Sequence, residues 1–201
     1  CSLEARYLQI FKGDEIEFPE DGYQGEDIKD LAKEYADLNG DSLVNVSAEE
    51  RKKALVDYAL PKNIKKMQAD MEKYKIFYDK WFFESELHKS GAVKAVVDLL
   101  TKKGLTYEKE GAVWYKNKEV LTQKLLKEGK SQKYIDNLEL KDDVLIRQNG
   151  NPTYFTADIA YHKNKFDRGF TTLIDVWGAD HHGHVMRMKG AMDAIGYDGD
   201  K

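Results

Sequence analysis

Residues 173–184 read Leu173-Ile174-Asp175-Val176-Trp177-Gly178-Ala179-Asp180-His181-His182-Gly183-His184. The first five are apolar apart from Asp175, which predicts a buried strand. Gly178 ends it, and His182 to Ile195 predicts a helix with Val185, Met188, Met192 and Ile195 facing inward. The stretch upstream repeats the alternation. Val144-Leu145-Ile146 predicts a short strand, Asn149-Gly150 a hairpin turn, Thr153-Tyr154-Phe155-Thr156 a second strand, and Ala157 to Phe166 a helix. Strand, helix, strand, helix is the order of a parallel βα layer, so the expected class is α/β.

Further upstream the texture is helical. Leu3, Tyr7, Ile10 and Phe11 in 2–11, and Ile28, Leu31, Ala32 and Tyr35 in 26–35, recur at helical spacing. Ser47-Ala48-Glu49-Glu50 is a capping box before a long helical stretch, which Pro61 is expected to kink or restart. The aromatic-dense run Phe77 to Phe83 is compatible with a strand. Ser90 to Lys103 predicts a helix capped by Ser90, with Val93, Val96, Val97 and Leu100 inward and Gly104 as its stop. Glu110-Gly111, between two β-prone runs, predicts a hairpin. Residues 116–141 carry Leu121, Leu125, Leu126, Tyr134 and Ile135 at helical intervals. The same region holds Lys124, Lys127, Lys130 and Lys133, which read as a solvated face or a phosphate-contacting one.

The whole chain has 201 residues, and its 3 Trp, 12 Tyr and 8 Phe exclude a wholly disordered polyelectrolyte. The formal net charge of −4 excludes a bulk basic field for nucleic acid. Cys1 is the single cysteine, which excludes an internal disulfide and a zinc-finger framework and fits a reducing, cytoplasmic compartment. No run approaches a membrane span. Ser2 to Leu8 already reads as mid-helix, and residues 196–201 stop just after a helix, so both ends read as cut from a larger protein.

Chemistry concentrates at two places. In 177–184 a predicted strand delivers its C-terminal end into a helix, where ligands of open α/β sheets bind. Gly178 lets a ligand approach the backbone, Asp180 can accept from sugar hydroxyls, and His181 can donate or accept. The plain alternative is that Asp180 caps the helix and the histidines lie on the surface. A sharper alternative is a metal-dependent hydrolase using Asp180, His181 and His184, since those spacings share a helix face. An Asp-His-His string also occurs in manganese-dependent phosphoesterases, but their upstream Asp/His motifs are absent here. In 149–158, Tyr154 and Asp158 flank a strand-to-helix junction. A carboxylate beside a phenol suits a cationic ligand, unless Asp158 is an ordinary N-terminal helix acid. The chain lacks GxxxxGK[ST], GxGxxG and GxSxG motifs, and Cys1 has no evident helper as a nucleophile.

Taken together, Asp143-Val144-Leu145-Ile146-Arg147, Pro152 to His162, Lys165 to Phe170 and Val176 to Gly183 closely resemble the second half of the catalytic domain of bacterial arginyl-tRNA synthetases. Ser2 to Tyr7 and Tyr23 to Ile28 resemble a segment of the same enzymes. The resemblance covers nearly the whole chain, tightly over 143–196 and loosely over 37–141. It implies a class I, Rossmann-like core: residues 1–36 its helical part, 37–141 a connective insertion with helical support, and 142–201 the second half of the core. It implies a ligase that joins arginine to ATP and passes arginyl to tRNA(Arg), with Mg²⁺ accompanying ATP and no membrane or DNA partner. Tyr154, Asp158 and His181 would bind arginine, and Gly178, Asp180 and His181 the nucleotide; no metal ligand is implied. The family's HIGH motif would precede residue 1 and its KMSKS loop would follow residue 201, so no catalytic residue is expected within the chain, and the segment alone is expected to be inactive. The remaining alternative is a non-catalytic binding module of the same fold.

Overall fold

A computed structural model describes residues 2–201, the side chain of His182 excepted. The chain divides into two compact units, residues 1–80 and 81–201.

The first unit is helical: α1 (Ser2–Lys12), α2 (Glu26–Asn39) and α3 (Ala48–Lys73). Their apolar stripes meet in a core of Leu3, Tyr7, Leu31, Ala32, Ala36, Leu43, Leu55 and Ala59. Tyr7 is fully buried; its hydroxyl donates to Gly40 O (2.8 Å) and accepts from Leu43 N (3.1 Å). Arg51 reaches from α3 to Glu4 Oε1 (3.0 Å) and to the carbonyls of Leu43, Val44 and Val46. Ser47 caps α3 as expected, accepting from Glu50 N. Pro61 neither breaks nor restarts the helix, which runs on to Lys73. The residue is exposed, so the carbonyl of Asp57, left without its donor, can turn to water.

The second unit combines helices with a small sheet. Helices α4 (Glu84–Lys89), α5 (Ala92–Lys102), α6 (Asn117–Lys127), α7 (Gln132–Asp136), α8 (Tyr154–Asp167) and α9 (His182–Ile195) accompany strands β1 (Thr106–Lys109), β2 (Ala112–Tyr115) and β3 (Asp143–Ile146). The sheet order is β1-β2-β3, antiparallel throughout, with Tyr107 opposite Trp114 and Val113 opposite Ile146. The expected β1–β2 hairpin forms: Glu110 and Gly111 take φ values of 53° and 73°, as a two-residue turn between twisted strands demands. The core gathers Val93, Val96, Val97 and Leu100 from α5, Phe155, Ile159 and Ala160 from α8, and Met188, Ala191, Met192 and Ile195 from α9, with Tyr115 and Leu145 from the sheet. Val185, expected inward, is instead 37% exposed.

The chain is thus α/β and helix-rich, but the expected parallel βα layer does not form among the described residues. Thr153–Thr156 is the start of α8 rather than a strand. Pro152 makes a single bridge to Ile146, and Thr153 Oγ1 then accepts from Thr156 N as the N-cap. Residues 173–177 adopt no regular secondary structure and join no sheet, and among the described residues their backbone donates one hydrogen bond, from Leu173 N to Lys201 O (2.6 Å). Residues 77–83 are irregular. Ser90 closes α4, donating to Leu87 O, while Gly91, in the left-handed region at φ 76°, is the residue that opens α5.

Candidate functional site

Helix α8 forms one wall of the site. Tyr154, Asp158, His162 and Lys165 are spaced four, four and three apart and so share a face. Helix α9 adds His184 and Arg187, three apart. The irregular segment 173–177 brings Asp175 and Trp177, and the 3₁₀ turn Ala179–His181 brings His181. With Phe155 and Tyr161, these side chains line a cavity of about 430 Å³.

Two polar networks hold the cavity wall. In the first, His162 is buried, with Nδ1 2.8 Å from Asp158 O and Nε2 2.9 Å from Asp175 Oδ2. Lys165 Nζ donates to the other Asp175 oxygen at 2.7 Å. Burial opposes ionisation of Asp175, but the hydrogen bonds from Lys165 and His162 outweigh it and hold its carboxyl below the ordinary range. In the second network, Arg187 donates through Nε (3.1 Å) and Nη2 (2.9 Å) to His184 Nδ1, and through Nη1 (2.7 Å) to Asp143 Oδ1 on β3. His184 Nε2 lies 3.2 Å from Asp158 Oδ2. Burial, followed by the charge of Arg187, lowers the His184 pKa from its usual 6.5 against the pull of Asp158. Burial raises the carboxyl pKa of Asp143 despite Arg187.

The two carboxylates lining the cavity therefore differ. Asp175 is committed to Lys165 and His162. Asp158 has a side chain 46% exposed and, among the described residues, only His184 as a charge-capable neighbour within ion-pair distance. Tyr154 is 78% exposed, and His181 Nε2 lies 3.7 Å from Oδ2 of the exposed Asp180. The wall can accept one positive, hydrogen-bonding group without displacing an existing partner.

Of the residues singled out from the sequence, Tyr154, Asp158 and His181 line this one cavity. Gly178 and Asp180 sit on the adjoining turn, where His181 N donates to Gly178 O (3.0 Å). A Cβ on Gly178 would stand 2.5 Å from Asp180 Oδ1, so the glycine makes room for that carboxylate. Asp180, His181 and His184 do not converge: the two imidazole centroids are 6.5 Å apart, His184 Nδ1 is taken by Arg187, and its Nε2 lies 3.2 Å from Asp158. Among the described residues no group of three or more His, Cys, Asp and Glu is placed to hold a metal ion, so the hydrolase alternative has no geometry behind it. Cys1 lies outside the described residues. Lys124, expected on a solvated or phosphate-contacting face, is drawn inward to Asp193 and Asp200 at 2.8 and 2.9 Å. Sequence reading missed Arg187, Lys165 and Asp175 as site residues. A signal existed for each: Lys165 continues the Tyr154–Asp158–His162 face, Arg187 stands three residues after His184, and Asp175 interrupts an apolar run.

Among the described residues no helix is long and apolar enough to cross a membrane. No family model matches the chain. Curated relatives do: it is 52% identical over its whole length to an arginine–tRNA ligase of Ruminiclostridium cellulolyticum, and 54% identical over 98% of its length to one of Caldanaerobacter subterraneus. It spans about a third of each, 33% and 32% respectively. A crystal structure described as that of an arginyl-tRNA synthetase from Campylobacter jejuni matches 99% of the chain with a TM-score of 0.78 at 34% identity, and the chain covers 39% of it.

Proposed function

The chain belongs to the arginine–tRNA ligase family, a third of whose members' length it spans, and from this we propose that its cavity is the arginine side-chain pocket of such a ligase. The reaction would join arginine to ATP with release of pyrophosphate and then pass arginyl from the adenylate to tRNA(Arg), in the cytoplasm.

The observation that carries this reading is Asp158, the one cavity carboxylate not already committed to a cationic partner, beside Tyr154 and His181. A guanidinium is planar, permanently charged and forked, and it needs a carboxylate with open acceptor capacity. Tyr154, one helical turn earlier on the same face, would contact it from a second side. Gly178, Asp180 and His181, just after segment 173–177, would lie beside the adenylate ribose.

The core would be Rossmann-like, with residues 1–36 and 142–201 in it and 37–141 forming its connective insertion and helical support. Segment 173–177 supports this. Leu173 and Trp177 are half-buried, whereas Ile174 and Val176 are 87% and 94% exposed. A run apolar apart from Asp175 suits a strand inside a parallel sheet covered on both sides. The family's HIGH and KMSKS motifs, which act on ATP, lie outside these 201 residues, so on this reading they do not activate arginine by themselves. Mg²⁺ would accompany ATP as the charge partner of its phosphates.

The test is Asp158→Asn in a full-length ligase carrying this sequence, read by arginine-dependent pyrophosphate exchange. Removing one partner of a buried charge pair costs ~2–5 kcal/mol, which is roughly 30- to several-thousand-fold in kcat/KM for arginine. The ATP KM should move far less. Wild-type arginine kinetics would place the pocket elsewhere.

A further inference from the structure

We propose that Arg187, itself neutralised by Asp143, holds His184 as the neutral Nε2–H imidazole, and that this leaves the negative charge of the neighbouring Asp158 free for a cationic substrate. The inference rests on the pocket reading above and adds positioning residues to it.

The hydrogen-bond geometry fixes the tautomer. A guanidinium nitrogen only donates, so two Arg187 nitrogens, 3.1 and 2.9 Å from Nδ1, require that ring nitrogen to present its lone pair. The ring proton then sits on Nε2, which faces Asp158 Oδ2 at 3.2 Å. Protonating Nδ1 would set two donors and two positive charges against each other. The groups facing His184 are Asp158 and His162 from α8, His181 from the 3₁₀ turn and Arg187 from its own helix, with Asp143 of β3 behind Arg187. The rings of Trp177 and Phe155, 4.9 and 5.8 Å away, complete its surroundings. Asp158 attracts a proton to the ring; burial and Arg187 oppose it and prevail.

The consequence concerns Asp158. An imidazolium at 3.2 Å would pair with the carboxylate and compete with an incoming guanidinium. A neutral ring stands beside the carboxylate and cancels none of its charge. The full charge of Arg187 would itself repel a cationic substrate, and Asp143 at 2.7 Å offsets it.

Two measurements test this. In the 201-residue chain, long-range ¹H–¹⁵N correlations of the His184 ring should show the Nε2–H form, neutral down to below the usual histidine range. An Nδ1–H form, or titration at or above that range, overturns the inference whatever the substrate. In a full-length ligase, Arg187→Gln should raise the arginine KM about tenfold near pH 6, and no more than about twofold near pH 8.5, with kcat little changed. An equal rise at both pH values means Arg187 acts only by packing and overturns the proposal. Asp143→Asn/Arg187→Gln leaves no buried charge unpaired and should give the same pH-dependent rise if the single variant folds poorly. Wild-type arginine kinetics for Asp158→Asn, with the His184 ring behaving as expected, would overturn the pocket reading and the substrate half of this proposal while the tautomer stood.

Discussion

Asp175 accepts from Lys165 and from the buried His162, and those two bonds fasten an otherwise apolar segment to α8. Its pKa is depressed in the folded chain. Such a carboxylate adds stability that is complete above its unfolded pKa and disappears as pH falls through the folded value. Asp175→Asn should therefore lower the unfolding free energy at pH 7 by about 2 kcal/mol, the scale of charge-assisted hydrogen bonds. The deficit relative to wild type should shrink steadily below about pH 4, where the wild-type carboxylate takes up its proton. Urea melts across that range check it, and a constant deficit would mean that shape rather than charge is lost. At this scale the sequence was partly legible. Tyr154 and Asp158 read as flanking a strand-to-helix junction; both instead lie on α8, one turn apart, and line one cavity. The partners of Asp175 stand 13 and 10 residues away, and Arg187 meets Asp143 across 44. No periodicity encodes such meetings, because they depend on how elements pack.

Helix α8 begins where β-prone residues predicted a strand. Thr153, Tyr154, Phe155 and Thr156 all favour extended backbone, but a single hydroxyl decides otherwise. Thr153 Oγ1 accepts from Thr156 N and donates to Val144 O at 2.8 Å, so it caps the helix and ties it to β3 together. Thr153→Ala should cost about 1–2 kcal/mol, toward the upper end for a lost cap because the link to β3 goes too. Thr153→Ser should retain most of it. Thermal melts of the two variants decide, and equal loss in both would assign the effect to the threonine methyl. The hairpin at Glu110-Gly111 was readable because two positive φ angles suit few residues and glycine most of all. Helix α5 and its inward valines were readable from spacing. Its cap was not, since Ser90 and Gly91 are both good helix-boundary residues, and only the chain direction after Leu87 selects between them.

For the molecule as a whole, each of the two units has its own hydrophobic core, and the α/β character lies in residues 81–201. The parallel layer read from the sequence is absent among the described residues, and the run that suggested it joins no sheet. A strand needs neighbours to become part of a sheet, and a hydrophobic run states only that neighbours would suit it. Ile174→Lys should accordingly change the stability of the 201-residue chain by no more than about 0.5 kcal/mol, as an exposed substitution does. In a full-length ligase the same change should cost well over 2 kcal/mol, because there the charge would be buried. Comparing melts of both proteins tests this, and equal tolerance would count against a Rossmann-like core. Ile174 and Val176 also bear on how the chain behaves at high concentration. Their segment offers unbonded backbone groups together with apolar side chains, which is the form in which two molecules pair edge to edge. Colloidal behaviour should then be governed by five residues out of 201. Light scattering should rise with concentration under conditions where every molecule is folded, and a lysine at position 174 should raise solubility without raising the melting temperature.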